Sequence, residues 1–89
     1  MAHTLSAKKR IRQNATRRAR NRWRLRRMRI AIKDFETAVA SGDVTKATEA
    51  MRAAGKIVDR TAQKGVIHRN QASRRKSRMS ARVKALQSA

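Results

Sequence analysis

Twelve cationic side chains stand between positions 8 and 29: Lys8, Lys9, Arg10, Arg12, Arg17, Arg18, Arg20, Arg22, Arg24, Arg26, Arg27 and Arg29. No carboxylate interrupts them. The chemistry open to such a run is neutralisation of a polyanion, because each phosphate met by Lys or Arg releases a condensed counterion. Arginine outnumbers lysine here, and its planar fork can grip phosphate through two bonds and stack on bases. On a 3.6-residue helix these positions surround the axis instead of lining one side. A one-sided stripe would suit a groove or a membrane surface, whereas charge all round suits burial among several backbone segments. The plainer alternative, a solvated charge run, does not account for the complete lack of acids.

A second basic block follows at the other end of the chain. Residues 1–33 carry thirteen Lys/Arg and residues 60–89 carry nine, and neither stretch contains an acid. All five acids, Asp34, Glu36, Asp43, Glu49 and Asp59, lie between them with only Lys46, Arg52 and Lys56. The three segments therefore hold +13, −2 and +9 of the net +20. So much like charge on 89 residues repels itself, and the compact state gains from a polyanionic partner. Nucleic acid is the expected one.

Other chemistries find little support. There is no cysteine, hence no disulfide, thiolate metal site or cysteine nucleophile, which fits a reducing compartment. His3 and His68 are too few and too far apart to hold a metal, so no cofactor is expected. No acid accompanies either basic block, and neither a Ser/His/Asp set nor a glycine-rich phosphate loop occurs; the chain is not expected to be an enzyme. No apolar run approaches the ~20 residues that span a bilayer, and the first ten residues lack the hydrophobic stretch of a secretory signal. A mitochondrial presequence would be basic too, but would leave the block at 60–89 unexplained. The default expectation is a cytosolic protein.

The elements that must position these cations are helices. Proline is absent, and the glycines are Gly42, Gly55 and Gly65. Alanine, arginine and lysine, all good helix formers, dominate. The first helix is expected to start at Ser6 as N-cap and to run to about Ala40. Ser41-Gly42-Asp43 then stops it and caps the next. The second runs from about Val44 to Lys64, with Gly65 as its stop, and the third from about His68 to Leu86. Each has an apolar seam in steps of three and four: Leu25, Met28, Ile32, Phe35 and Val39; then Val44, Ala47, Met51, Ala54 and Val58; then Ala72, Met79, Val83 and Leu86, with Val66 and Ile67 leading in. With short connections, these predict an all-α, up-down-up three-helix bundle in a single domain of modest core. Gly55 either marks a close helix approach or has no special role.

The first seam fails N-terminal to Leu25. Stepping back by fours and threes meets Asn21, Arg18 and Asn14 before Ile11, which cannot form a core. The bundle should thus use about residues 24–40 of helix 1. Residues 6–23 should project as a basic arm about 25–30 Å long at 1.5 Å per residue. Without tertiary packing the arm is expected to be disordered in the free protein and ordered on RNA.

In that topology the start of helix 3 shares an end with residues 20–24, gathering Arg20, Asn21, Arg22, Lys64, His68, Arg69 and Asn70. Arg74, Arg75, Lys76 and Arg78 continue the positive surface. The acids and the 41–43 turn are expected at the opposite end, polarising the field. His68 is expected to cap helix 3 or to contact phosphate. Trp23 could pack at the top of the bundle or stack on an exposed base; packing is the preferred reading.

Two segments carry a family resemblance. Ser-Ala-Lys-Lys-Arg-Ile-Arg-Gln-Asn at 6–14, with Arg-Arg-Ala-Arg-Asn-Arg at 17–22, resembles the opening of bacterial small-subunit ribosomal protein twenty. Lys-Gly-Val-Ile-His-Arg-Asn at 64–70, followed by Ala72 and Arg74-Arg75-Lys76-Ser77-Arg78, resembles that family's second signature. The Ser-Gly-Asp turn at 41–43 falls where the family joins its first two helices, so the likeness is essentially end to end. It implies a three-helix bundle with a long first helix. It also implies a primary binder of 16S ribosomal RNA that stabilises the 5′ domain and the base of the penultimate stem during assembly of the small ribosomal subunit. Family contacts come mainly from the first helix and the helix 2–3 corner, with other protein contacts minor. Onto this chain they carry over as Lys8, Lys9, Arg10, Arg12, Arg17, Arg18, Arg20, Asn21 and Arg22, then Lys64, His68, Arg69, Asn70, Arg74, Arg75, Lys76 and Arg78. Arg24 and Arg27, further along helix 1, complete the candidate set. Gln71 stands where the family commonly has a basic residue, and Trp23 where it usually has a smaller one.

A structural RNA-binding protein of the small ribosomal subunit is therefore the leading expectation. A DNA-compacting protein fits the composition nearly as well, since phosphate neutralisation does not tell DNA from RNA. A membrane-active helix would need a sustained apolar face, and residues 6–23 offer only Ile11, Ala15, Ala19 and Trp23.

Overall fold

The computed structural model describes residues 4–89. Three helices follow in order, α1 (Leu5–Ala40), α2 (Val44–Gln63) and α3 (Arg69–Ser88); among the described residues there is no strand. The α1 N-cap is Thr4 rather than Ser6. The Thr4 Oγ1 accepts from the Ala7 amide at 3.2 Å, which places Ser6 already inside the first turn. Asp43 caps α2 as expected, its Oδ1 accepting from the Lys46 amide at 3.2 Å. His68 caps α3 through Nδ1, which accepts from the Asn70 amide at 3.1 Å. The last helix runs two residues past Leu86.

Both turns use glycine in the left-handed region, Gly42 at φ 78° and Gly65 at φ 76°. After α2 the amide of Gly65 donates to the Ala62 carbonyl and that of Val66 to the Thr61 carbonyl, the bond pair of a Schellman stop. After α1 the amide of Gly42 donates to the Val39 carbonyl. The Ser41 hydroxyl supplies the rest, donating to the Ala38 carbonyl and accepting from the Asp43 amide.

The helices pack up-down-up, with α2 as the central element. Its inner face is Ala47, Ala54, Gly55, Val58 and Thr61, small enough to let both neighbours approach. α1 contributes buried Met28 and Phe35, flanked by Leu25, Ile32 and Val39. α3 contributes Ala72, Met79 and Val83, with Ile67 from the preceding turn. These follow the seams read from the spacing, with Met51 and Leu86 packed at their edges, except that Val44 and Val66 do not join the core. The one buried polar side chain among the described residues, Thr61, donates its hydroxyl to the Ile57 carbonyl at 2.7 Å, so its burial carries no unsatisfied group.

Gly55 does not mark an obligatory close approach. A methyl added there would meet only Cε of Lys76, at 3.9 Å, an ordinary contact with a flexible chain. Gly55→Ala should therefore raise stability by about 1 kcal/mol through helix propensity. Gly65→Ala should lower it by about 1–2 kcal/mol, because the methyl meets no neighbour but the left-handed backbone disfavours it. Chemical denaturation of the two variants checks the opposite signs.

At about 1.5 Å per residue α1 is about 54 Å long, against about 30 Å for α2 and α3. The molecule measures 63 × 21 × 15 Å with a radius of gyration of 17.7 Å, where a compact domain of this length would have about 12 Å. The excess is the first half of α1.

Candidate nucleic-acid interface

From Thr4 to Arg20 every residue is exposed except half-buried Ala7. Leu25 is the first α1 residue packed against the core. The cations of this stretch therefore stand all round a helix that touches little else. Its face toward the α2–α3 corner forms one wall of an open concavity of about 760 Å³. Lys9, Arg12, Gln13, Thr16, Arg17, Arg20, Asn21 and Arg24 line it from α1, and Lys64 and Gly65 close it from the end of α2.

Of the candidate residues, the structure thus assembles Lys9, Arg12, Arg17, Arg20, Asn21, Arg24 and Lys64 around one hollow. Lys8, Arg10, Arg18 and Arg22 are exposed elsewhere around α1, and Arg69, Asn70 and Arg74 are exposed at the start of α3. Gln13 and Thr16 are outside the candidate set because they are uncharged and, unlike Asn21 and Asn70, are not among the contacts that the family resemblance carries over. Only their place in the stripe 9, 13, 16, 20, 24 could have marked them. His68 holds the cap with Nδ1, so the ring carries its proton on Nε2, which stays free as a donor. Capping and an anion contact are compatible.

Three expectations need correction. Asp59 does not join the other acids near the 41–43 turn. It lies one turn and a residue before Lys64, where its carboxylate pairs with Nζ of Lys76 at 3.0 Å. The acid-rich end is thus Asp34, Glu36, Asp43 and Glu49 alone, and Lys76 is partly neutralised. Both partners are about half exposed, at 46% and 56%, so the pair contributes about 0–1 kcal/mol. Arg75, secondly, is half-buried, with Nε enclosed and without a hydrogen-bond partner among the described residues. With Arg78 and Arg82 it lines a small cleft against Ile32, Phe35 and Glu36. Arg82 closes that cleft, lying over the Phe35 ring and 3.8 Å from the Glu36 carboxylate. Thirdly, Trp23 does not pack inside the bundle. It is 57% exposed, because the facing α2 residues are Ile57, Arg60, Thr61 and Lys64, an edge of the core rather than its centre. The guanidinium of Arg27 lies over its ring, 5.5 Å from the centroid.

Among the described residues no cluster of His, Cys, Asp or Glu could hold a metal, and no helix is long and apolar enough to cross a membrane. His3 lies outside the described residues.

The family model described as Ribosomal protein S20 matches residues 2–84. This chain belongs to the ribosomal protein S20 family. A small ribosomal subunit protein bS20 of Gluconobacter oxydans is 54% identical over 89 residues, covering all of both chains. Those of Parvibaculum lavamentivorans and Nitrosomonas europaea are 56% and 51% identical over 86 residues, covering 97% of this chain and 99% of each relative. The resemblance read from residues 6–22 and 64–78 was to this family. Membership makes the chain a structural ribosomal protein, at work in the cytoplasmic ribosome rather than as an enzyme.

Proposed function

We propose that this chain binds 16S ribosomal RNA directly within the small ribosomal subunit and stabilises the fold of that RNA during assembly. One observation carries the reading: an acid-free helical stretch from Leu5 to Arg20, exposed throughout but for half-buried Ala7, that opens into a cation-lined hollow against Lys64. A helix of this kind can lie between RNA segments that would otherwise repel one another. Lys8, Lys9, Arg10, Arg12, Arg17, Arg18, Arg20 and Arg22 neutralise phosphates around the arm, with Asn21, Arg24 and Lys64 at its base. The His68 Nε2, Arg69, Asn70, Arg74 and Arg78 extend the footprint along α3; Arg75 and Lys76 join where RNA draws them from their protein neighbours. Affinity then rests on phosphates and selectivity on the shape of folded RNA. The arm's helix, held by little beyond its own backbone bonds, is marginal until RNA screens its charge.

The test is a binding isotherm with 16S ribosomal RNA across a salt series, with duplex DNA as competitor. Selective binding, a steep dependence on salt, and protection confined to a few RNA helices are expected. Equal affinity for both polymers would overturn the reading in favour of a general polycation that compacts DNA.

A further inference from the structure

Beside the large hollow lies a smaller cleft of about 180 Å³, with Trp23 as one wall and Ile57 and Thr61 from α2 among its lining. Arg24, Arg27, Arg60 and Lys64 stand at its rim. A flat aromatic wall, an apolar floor and a ring of cations is the chemistry that receives one unstacked nucleotide. The base takes the indole face, and the cations take the flanking phosphates. The cleft is too small for a helix of any kind, and its scale is that of a single planar ring. The Trp23 side chain is not among the residues packed against the hydrophobic core. It is 57% exposed, and among the described residues the Arg27 guanidinium, itself a group that stacks on bases, lies over its ring.

We propose that the Trp23 cleft captures a single splayed-out base of the bound RNA by stacking on the indole. This rests on the RNA-binding reading above and adds to it a contact that phosphate neutralisation does not supply. Stacking is tolerant of base identity, since every base has a π-face. The cleft therefore selects an unpaired nucleotide in the right place in the RNA fold, not a sequence.

Trp23 is the only tryptophan of the chain, so intrinsic fluorescence reports on this cleft alone. Titration of the full chain with 16S ribosomal RNA should quench its emission in step with binding measured independently by filter retention. Trp23→Ala should weaken binding about 5- to 150-fold, while the slope of log affinity against log salt stays unchanged because no phosphate contact is lost. Trp23→Phe should recover most of the loss. Thermal unfolding of Trp23→Ala should match the parent, which excludes a folding defect at so exposed a site. Binding without quenching, or a Trp23→Ala variant of parental affinity, would overturn the capture of a base while leaving the RNA-binding reading intact. Failure to bind 16S ribosomal RNA at all would overturn both.

Discussion

Replacing Arg17, Arg18 and Arg20 together with alanine should flatten the salt dependence of RNA binding by about 2–3 units of log affinity per log salt, at ~0.7–0.9 per phosphate contact. Carried from 1 M to 0.1 M salt, that difference weakens binding by about two to three orders of magnitude. None of the three makes an ion pair among the described residues, and all are exposed, so the bundle should unfold as before. Arg17 and Arg20 line the hollow closed by Lys64, whereas Arg18 does not. Single variants can therefore separate a one-sided footprint from an all-round one. If RNA encloses the arm, Arg18→Ala costs as much slope as Arg17→Ala. If RNA meets only the hollow, Arg18→Ala costs almost none. Triple replacement with lysine should keep the slope while losing part of the affinity, because the charge survives and the two-bond grip does not. An unchanged slope in the alanine variant would remove the arm from the interface.

The second large effect concerns the bundle. Phe35 is 1% exposed and is the only phenylalanine. It fills the space between α1 and α3, under Arg82. Phe35→Ala should destabilise by about 3–5 kcal/mol through lost transfer energy and the cavity left behind. An 89-residue domain has roughly 4–13 kcal/mol in total, and self-repulsion of a +20 chain draws on that margin. At low ionic strength the variant should show no cooperative thermal transition by circular dichroism. Added salt or RNA should restore one, by screening the charge or by binding only the folded form. A transition within a few degrees of the parent at low salt would mean that the core depends little on this ring. Phe35→Leu, which keeps most of the volume, should lose only a fraction of the effect.

Much of the architecture is legible in the sequence. The 3-4 spacing of Leu25, Met28, Ile32, Phe35 and Val39 is a local property of one helix, and its failure at Asn21 and Arg18 marks where the bundle stops supporting α1. Gly42 and Gly65 mark the turns because a left-handed residue there suits glycine. Ser6 is the better cap by type, and only the bond from the Ala7 amide to Thr4 shows that the helix starts earlier.

The interface was less legible than the fold. Segregated charge pointed to the partner class, since acid-free blocks at 1–33 and 60–89 favour a polyanion whatever the fold. Which cations act together is another matter. A helix charged on all sides has no preferred face in its own sequence. Only the end of α2 distinguishes one face from another: Lys64 shares a hollow with Lys9, Arg12, Arg17 and Arg20, while Lys8, Arg10 and Arg18 lie outside it.

Asp59, Arg75 and Trp23 were misread for the same physical reason. Local pattern sets a residue's height and angle on its own helix, but pairing, enclosure and exposure depend on the neighbour's rotation and depth. Packing around Val58 brought Lys76 to Asp59 and left Trp23 at the rim. The sequence alone determined three helices, a basic arm and an anionic partner, because periodicity, glycine stops and net charge are properties of the chain itself. The tertiary structure alone decided which cations share a hollow and that Trp23 stands exposed while Phe35 is buried, because those depend on how α1, α2 and α3 face one another.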